Sequence, residues 1–160
     1  MKQIVGQIVS GGQTGADRAA LDFAIKHQIP HGGWCPLGRL ASDGPLASQY
    51  QLIETESKGY LRRTKLNVQD SDATLIFNSG ELSGGTLQTV RFAQAMNKPY
   101  RVFQLDQVEP QNVALEVHEW LSQIEVVTVN IAGPREAKRP GIYGLVMSVL
   151  EATLSDSQVE

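Results

Sequence analysis

A single cysteine, Cys35, stands in 160 residues, so no internal disulfide can form and a reducing compartment suits the chain. Three histidines are scattered at positions 27, 31 and 118, and no spacing of Cys, His or acidic residues marks a metal site. Neither sign of charge dominates. Fourteen Lys and Arg against 17 Asp and Glu leave a formal −3, which argues against a surface that coats nucleic acid. No apolar run reaches membrane-spanning length, and the first residues lead into a strand rather than a signal-peptide pattern. The expectation is a cytoplasmic domain over 1–154 with a polar tail at 155–160, long enough to bury a core without disulfide, metal or cofactor.

What is present is alternation. Apolar runs of strand length recur at 4–9, 73–77, 100–105 and 126–131, with a shorter one at 32–34. Helical periodicity fills 16–27, 59–70, 84–97, 112–123 and 141–154. The strands are continuously apolar, as buried parallel strands are. The pattern predicts an α/β fold of the Rossmann-like, doubly wound kind: a mainly parallel sheet of five or six strands in a three-layer α/β/α arrangement. With right-handed crossovers, the second strand on one side of the first and the rest on the other give the order 2-1-3-4-5. The ligand crevice then lies between the first and third strands. The stretch 35–58 has no period and carries Pro36, Gly38, Gly44 and Pro45; it is either a functional loop or a surface insertion.

Three loops on the expected ligand side carry the chemistry. The first is Ser10, Gly11, Gly12, Gln13, Thr14 and Gly15, between a strand and a helix start, where amides and the helix dipole favour an anion such as phosphate. It matches neither a Walker A loop nor G-x-G-x-x-G. Asp17 caps the following helix or orients a ligand hydroxyl, with the cap favoured, and Arg18 reaches a phosphate or lies on the surface. The second loop runs from Asn78 to Thr86, with Ser83, Gly84, Gly85 and Thr86 opening the next helix. The third brings Asn130, Gly133 and Arg135, the last matching an anion through its planar fork or pairing with Glu136. Acid–base groups are sparse: Glu54, Glu56 and Glu81 are the loop carboxylates available for catalysis. Asp70 and Asp72 precede the third strand and suit turn roles better.

The stretches SGGQTGADRAALDFA (10–24), GGWCPLGR (32–39), ETES (54–57), RRTKLNVQDSDATLIF (62–77), SGGT (83–86) and GPREAKRPGIY (133–143) resemble the circularly permuted YpsA-like proteins, a family also described as molybdenum-cofactor carriers. The resemblance implies a Rossmann-like domain related to the lysine-decarboxylase-like and cytokinin-activating phosphoribohydrolases. It implies molybdenum cofactor, whose pterin bears a phosphate, as a possible bound ligand, and a homo-oligomer, dimer or higher. Carried over residue by residue, Gly11, Gly12, Thr14, Gly15, Gly84, Gly85 and Thr86 become the ligand cradle. The chain departs from the phosphoribohydrolases where they carry a catalytic glutamate after the glycine turn: here Thr86 is followed by Leu87, Gln88 and Thr89.

Three functions remain open on these residues. The first is a binding or carrier protein for a phosphate-bearing small molecule, molybdenum cofactor or nucleotide-like. The second is a nucleotide-processing enzyme using Glu54, Glu56 or Glu81, and the third a ligand-sensing interaction domain. The missing glutamate and few histidines favour the first.

Overall fold

A computed structural model describes residues 5–154; the expected tail at 155–160 lies outside the described residues. Five parallel strands form the central sheet: β1 (Gln7–Val9), β2 (His31–Gly32), β7 (Ala73–Asn78), β8 (Tyr100–Gln104) and β9 (Thr128–Ala132). Helices α1 (Ala16–Lys26), α4 (Pro110–Ser122) and α5 (Ile142–Leu154) pack on one another, and α2 (Tyr60–Gln69) packs on α3 (Gly84–Ala95). The result is a three-layer α/β/α Rossmann-like fold. Its core joins Ile8, Leu75, Phe77, Val129 and Ile131 of the sheet to Phe23, Val117, Leu121, Val146 and Leu150 of the helices.

The strand order corrects the expectation. It is β2-β1-β9-β7-β8, so the last strand does not extend the far edge but enters between the first and the third. Its residues Val129 and Asn130 pair with Ile8 and Val9 on one side, and with Ala73 and Thr74 on the other. Burial explains the placement. In β9, Val129 and Ile131 are fully enclosed, whereas β8 carries Tyr100, Arg101 and Gln104, which are only partly buried and suit an edge. If the count starts at β7 and continues through β8 and β9 to β1 and β2, the order becomes 2-1-3-4-5. The expected topology is present with its starting point moved along the chain. The switch point moves with it, to the gap between β7 and β9.

The stretch 35–58 is neither periodic nor loose. A parallel pair, β3 (Trp34–Cys35) with β6 (Ile53–Glu54), and a hairpin of β4 (Leu40–Ala41) with β5 (Gly44–Pro45) give it a frame. Leu21, Cys35, Ala41, Leu46, Tyr50 and Leu52 make a second small core beneath it. Arg39 fastens the far side by donating to the carbonyls of Ala47 at 2.9 Å and Tyr50 at 2.6 Å.

Chain exit from β9 is sterically tight. A Cβ on Gly133 would stand 2.2 Å from the carbonyl oxygen of Phe77 and 2.6 Å from Cβ of Ala16. Gly133→Ala is therefore expected to cost about 2 kcal/mol or more in urea unfolding. Gly85→Ala, whose Cβ would meet nothing within 4 Å, leaves stability unchanged or raises it slightly. Equal midpoints for the two variants would show that the exit is not packed as described.

Candidate functional site

A cleft of about 680 Å³ opens at the relocated switch point, within the size range of small-molecule sites. Its walls come from the start of α2 (Tyr60, Leu61, Arg63, Thr64), the start of α3 (Gly84–Thr89) and the chain leaving β9 (Ala132–Arg135, Ala137, Lys138), with Gln13 and Asp17 from the first loop. Helix α3 begins at Gly84, and its N-cap Ser83 makes no side-chain cap, so the first-turn amides have no preceding helical carbonyl to bond. Gly84 and Gly85 are exposed and Thr86 is buried beneath them. The Lys138 amine lies over this end: a Cβ on Gly84, at φ +55°, would stand 3.0 Å from Nζ. Arg135 adds a second, exposed cation from the same loop. A helix dipole, free amides and two cations converge on one mouth.

Arg139 fixes the two loops that bear these groups to each other. Its Nε donates to the carbonyl of Ser79 at 2.5 Å, and Nη2 to that of Glu81 at 3.4 Å. Glu136 is turned away from Arg135. It accepts the N–H groups of Gly141 at 2.6 Å and Tyr143 at 3.0 Å, capping the entry to α5. The alternative of an Arg135–Glu136 pair is thereby ruled out, and Arg135 stays unengaged among the described residues.

The first loop is organised differently from an open anion cradle. Its amides already have acceptors within the chain: Gly12 N–H donates to Ser10 Oγ at 3.2 Å, Gln13 to Asp17 Oδ2 at 3.3 Å, and Thr14 to Gln13 Oε1 at 2.9 Å. The carboxylate of Asp17 is an anion that the chain itself supplies to this loop. This corrects its favoured role, because α1 is capped by Gly15 without a side-chain bond, and the Asp17 carboxylate folds back on the loop instead. Arg63 completes the arrangement from α2. It lies across Gly11, with Nη1 3.2 Å from Asp17 Oδ2 and its guanidinium stacked 5.3 Å from the Tyr60 ring centroid. Burial pushes the Asp17 carboxyl above its ordinary range, opposed by Arg63, the amides of Gln13 and Gly11, and Arg18. Arg18 itself is spent on Gly12 O and on a two-pronged pair with Asp43, at 2.9 and 3.0 Å.

The glycines of this loop serve packing between chain segments. Gly15, at φ +83°, brings its Cα against the backbone of Pro134 to Glu136, where a Cβ would meet Pro134 O at 2.4 Å. Gly12 faces Leu46 and Leu52 of the insertion. Of the residues expected at the site, Gln13, Gly84, Gly85, Thr86, Gly133 and Arg135 line the cleft, while Ser10, Gly11, Gly12, Thr14, Gly15 and Ser83 are not among its lining residues. Asn78 and Asn130 are buried structural amides, the first holding Gly80 O at 3.0 Å and the second Thr74 Oγ1 at 3.3 Å.

The carboxylates proposed for catalysis do not line the cleft. Glu54 accepts the N–H of Gly38 at 2.7 Å, Glu56 pairs with Arg62 on the surface, and Glu81 is exposed on its loop. Asp72 binds the amides of Val127 and Thr128 at the opposite end of the sheet, a turn role as expected. Sequence reasoning missed both Lys138 and Arg63 as site residues, the latter standing only within the stretch 62–77. The available signal was the mixed Tyr60–Arg62–Arg63–Thr64 run, one turn of which faces the cleft.

No helix among the described residues is long and apolar enough to cross a membrane. Residues 8–154 match the model of the family described as the Circularly permutated YpsA SLOG family. A solved crystal structure from Syntrophus aciditrophicus SB, of a protein named "Putative molybdenum carrier protein", is similar throughout. Identity is 47%, the TM-score is 0.94, and the match covers 97% of this chain and 98% of that one. No curated protein matches the chain.

Because folding raises the Asp17 pKa, the native state holds a proton that the unfolded chain releases above the ordinary value of 3.8. Stability contributed by this group is therefore present at low pH and lost as pH rises from 3.8 through the raised value, at up to about 1.4 kcal/mol per pH unit. Measured by urea unfolding, the parent should lose stability relative to Asp17→Asn across that window. A constant difference between the two would contradict the assigned shift.

Proposed function

We propose that this chain, which belongs to the Circularly permutated YpsA SLOG family, is a binding and carrier protein for a phosphate-bearing small molecule held between β7 and β9. The observation that carries this reading is the convergence at α3: first-turn amides of Gly84 to Thr86 beneath Lys138, with Arg135 alongside. Such a pole favours a compact multivalent anion, and phosphate fits it. The remaining walls, with Tyr60, Leu61, Leu87 and Pro134, offer apolar surface to an organic body. The name of the Syntrophus protein supports molybdenum cofactor as that ligand, and a nucleotide-like molecule shares the needed chemistry.

Holding is favoured over turnover by what the cleft contains. Its carboxylate is Asp17, buried and engaged with Arg63, and the residues after Thr86 supply no acid facing the pole. A general base needs hydrogen-bond reach to the reacting proton, and Glu54, Glu56 and Glu81 point elsewhere.

Mass spectrometry of small molecules released from undialysed protein should find a phosphorus-bearing heterocycle. Lys138→Ala and Arg135→Ala should each retain roughly tenfold less of it, the effect of losing one charge-assisted contact. Undiminished retention in both variants would remove the anion pole from the account. Steady release of ribose phosphate from a nucleoside monophosphate by the parent would replace carrier with enzyme.

A further inference from the structure

Gln13 is only 8% exposed, yet it lines the cleft. Its Oε1 accepts the N–H of Thr14 at 2.9 Å and that of Ser42 at 2.8 Å. Two backbone donors on one atom settle which end of the amide is oxygen, since an NH2 group could accept neither. The NH2 end therefore points the other way, and it has no acceptor among the described residues. Nor is it sealed off: the buried side-chain nitrogen or oxygen without a partner among the described residues is Nε of Arg63. Gln13 and Arg63 are neighbours through Asp17 Oδ2, which accepts the backbone N–H of Gln13 and Nη1 of Arg63. Nε of Arg63 is enclosed and Nη1 is taken by Asp17, so the donor this wall offers a ligand is the Gln13 NH2.

We propose that Gln13 is a specificity-determining residue that reads the organic end of the ligand and requires an acceptor there, selecting an oxo-substituted heterocycle over its amino-substituted counterpart. The inference rests on the reading of the cleft as a site for a phosphate-bearing molecule. The physical basis is a mismatch. An amino group placed against the Gln13 NH2 sets donor against donor, and buried polar groups left unpaired discriminate more strongly than a missing contact does. The anchoring by Thr14 and Ser42 matters because it prevents the amide from flipping to accept instead.

The test is calorimetric titration of the intact protein with IMP, AMP and ribose 5-phosphate. IMP carries an oxygen at the purine carbon where AMP carries an amino group, and ribose 5-phosphate carries the phosphate without a base. The parent should bind IMP roughly tenfold or more tightly than AMP. Gln13→Glu keeps an oxygen for the Thr14 and Ser42 amides and removes the NH2, so the preference for IMP should vanish. Should its thermal melt show that it is unfolded, Gln13→Met removes the donor at similar length and replaces it in the comparison. Equal binding of IMP and AMP by the parent overturns the proposal but leaves the phosphate reading in place. A preference for IMP that persists in the folded variant also overturns it. No binding of any of the three compounds overturns the proposal, and the phosphate reading is then decided separately by whether undialysed protein releases a phosphorus-bearing heterocycle.

Discussion

At Gly133 the chain leaving the middle of the sheet passes so close to the carbonyl of Phe77 and the methyl of Ala16 that no side chain can stand there. The same segment then presses Pro134 to Glu136 against Gly15. These two backbone approaches lock the exit of β9 between the start of α1 and the end of β7. They determine which loops are neighbours. With β9 at the centre, its loop must lie beside the glycine turn that opens α3, and Lys138 comes to rest over Gly84. Arg139 then ties the pair by bonding Ser79 and Glu81. The cationic pole of the cleft is thus a consequence of strand order, and strand order is held by contacts in which a methyl group is too large.

The two glycine-rich loops have similar sequences and different physics. Both precede helices and both could bind an anion in isolation. Around α3 the amides are left open and cations approach from another loop. Around α1 the chain supplies its own carboxylate: Asp17 collects the Gln13 amide and Arg63, while Ser10 and Gln13 side chains collect two more amides. An external phosphate would compete with a tethered anion there, in a place where Leu46 and Arg63 already cover the backbone. The first loop accordingly shapes the cleft through Gln13 and Asp17, and the second loop carries the pole.

Most elements were legible in the sequence because their signals are local. Continuous apolar runs with helical periods between them locate the five strands and five helices within a few residues. The order of strands was not, because β9 can return beside β1 or extend the far edge with equally right-handed crossovers. A weaker signal did exist: Tyr100, Arg101 and Gln104 mark β8 as an edge, while Val129 and Ile131 suit a strand enclosed on both faces. The glycines at 11, 12 and 15 invited a phosphate-loop reading, since a glycine needed for packing against Arg63, Leu46 or Pro134 looks the same in sequence as one needed for a ligand. Arg63 and Lys138 lie 75 residues apart on elements with no shared motif, so only the fold brings them to one cleft.

In the proposed reading, anions bind at the α3 end of the cleft and not on the first glycine loop. An NMR titration with inorganic phosphate, following backbone amides, tests it most directly. Progressive, saturable shifts are expected at Gly84, Gly85 and Thr86, with Gly11 and Gly12 unmoved. Shifts confined to Gly11, Gly12 and their neighbours, with residues 84–86 unaffected, would contradict it.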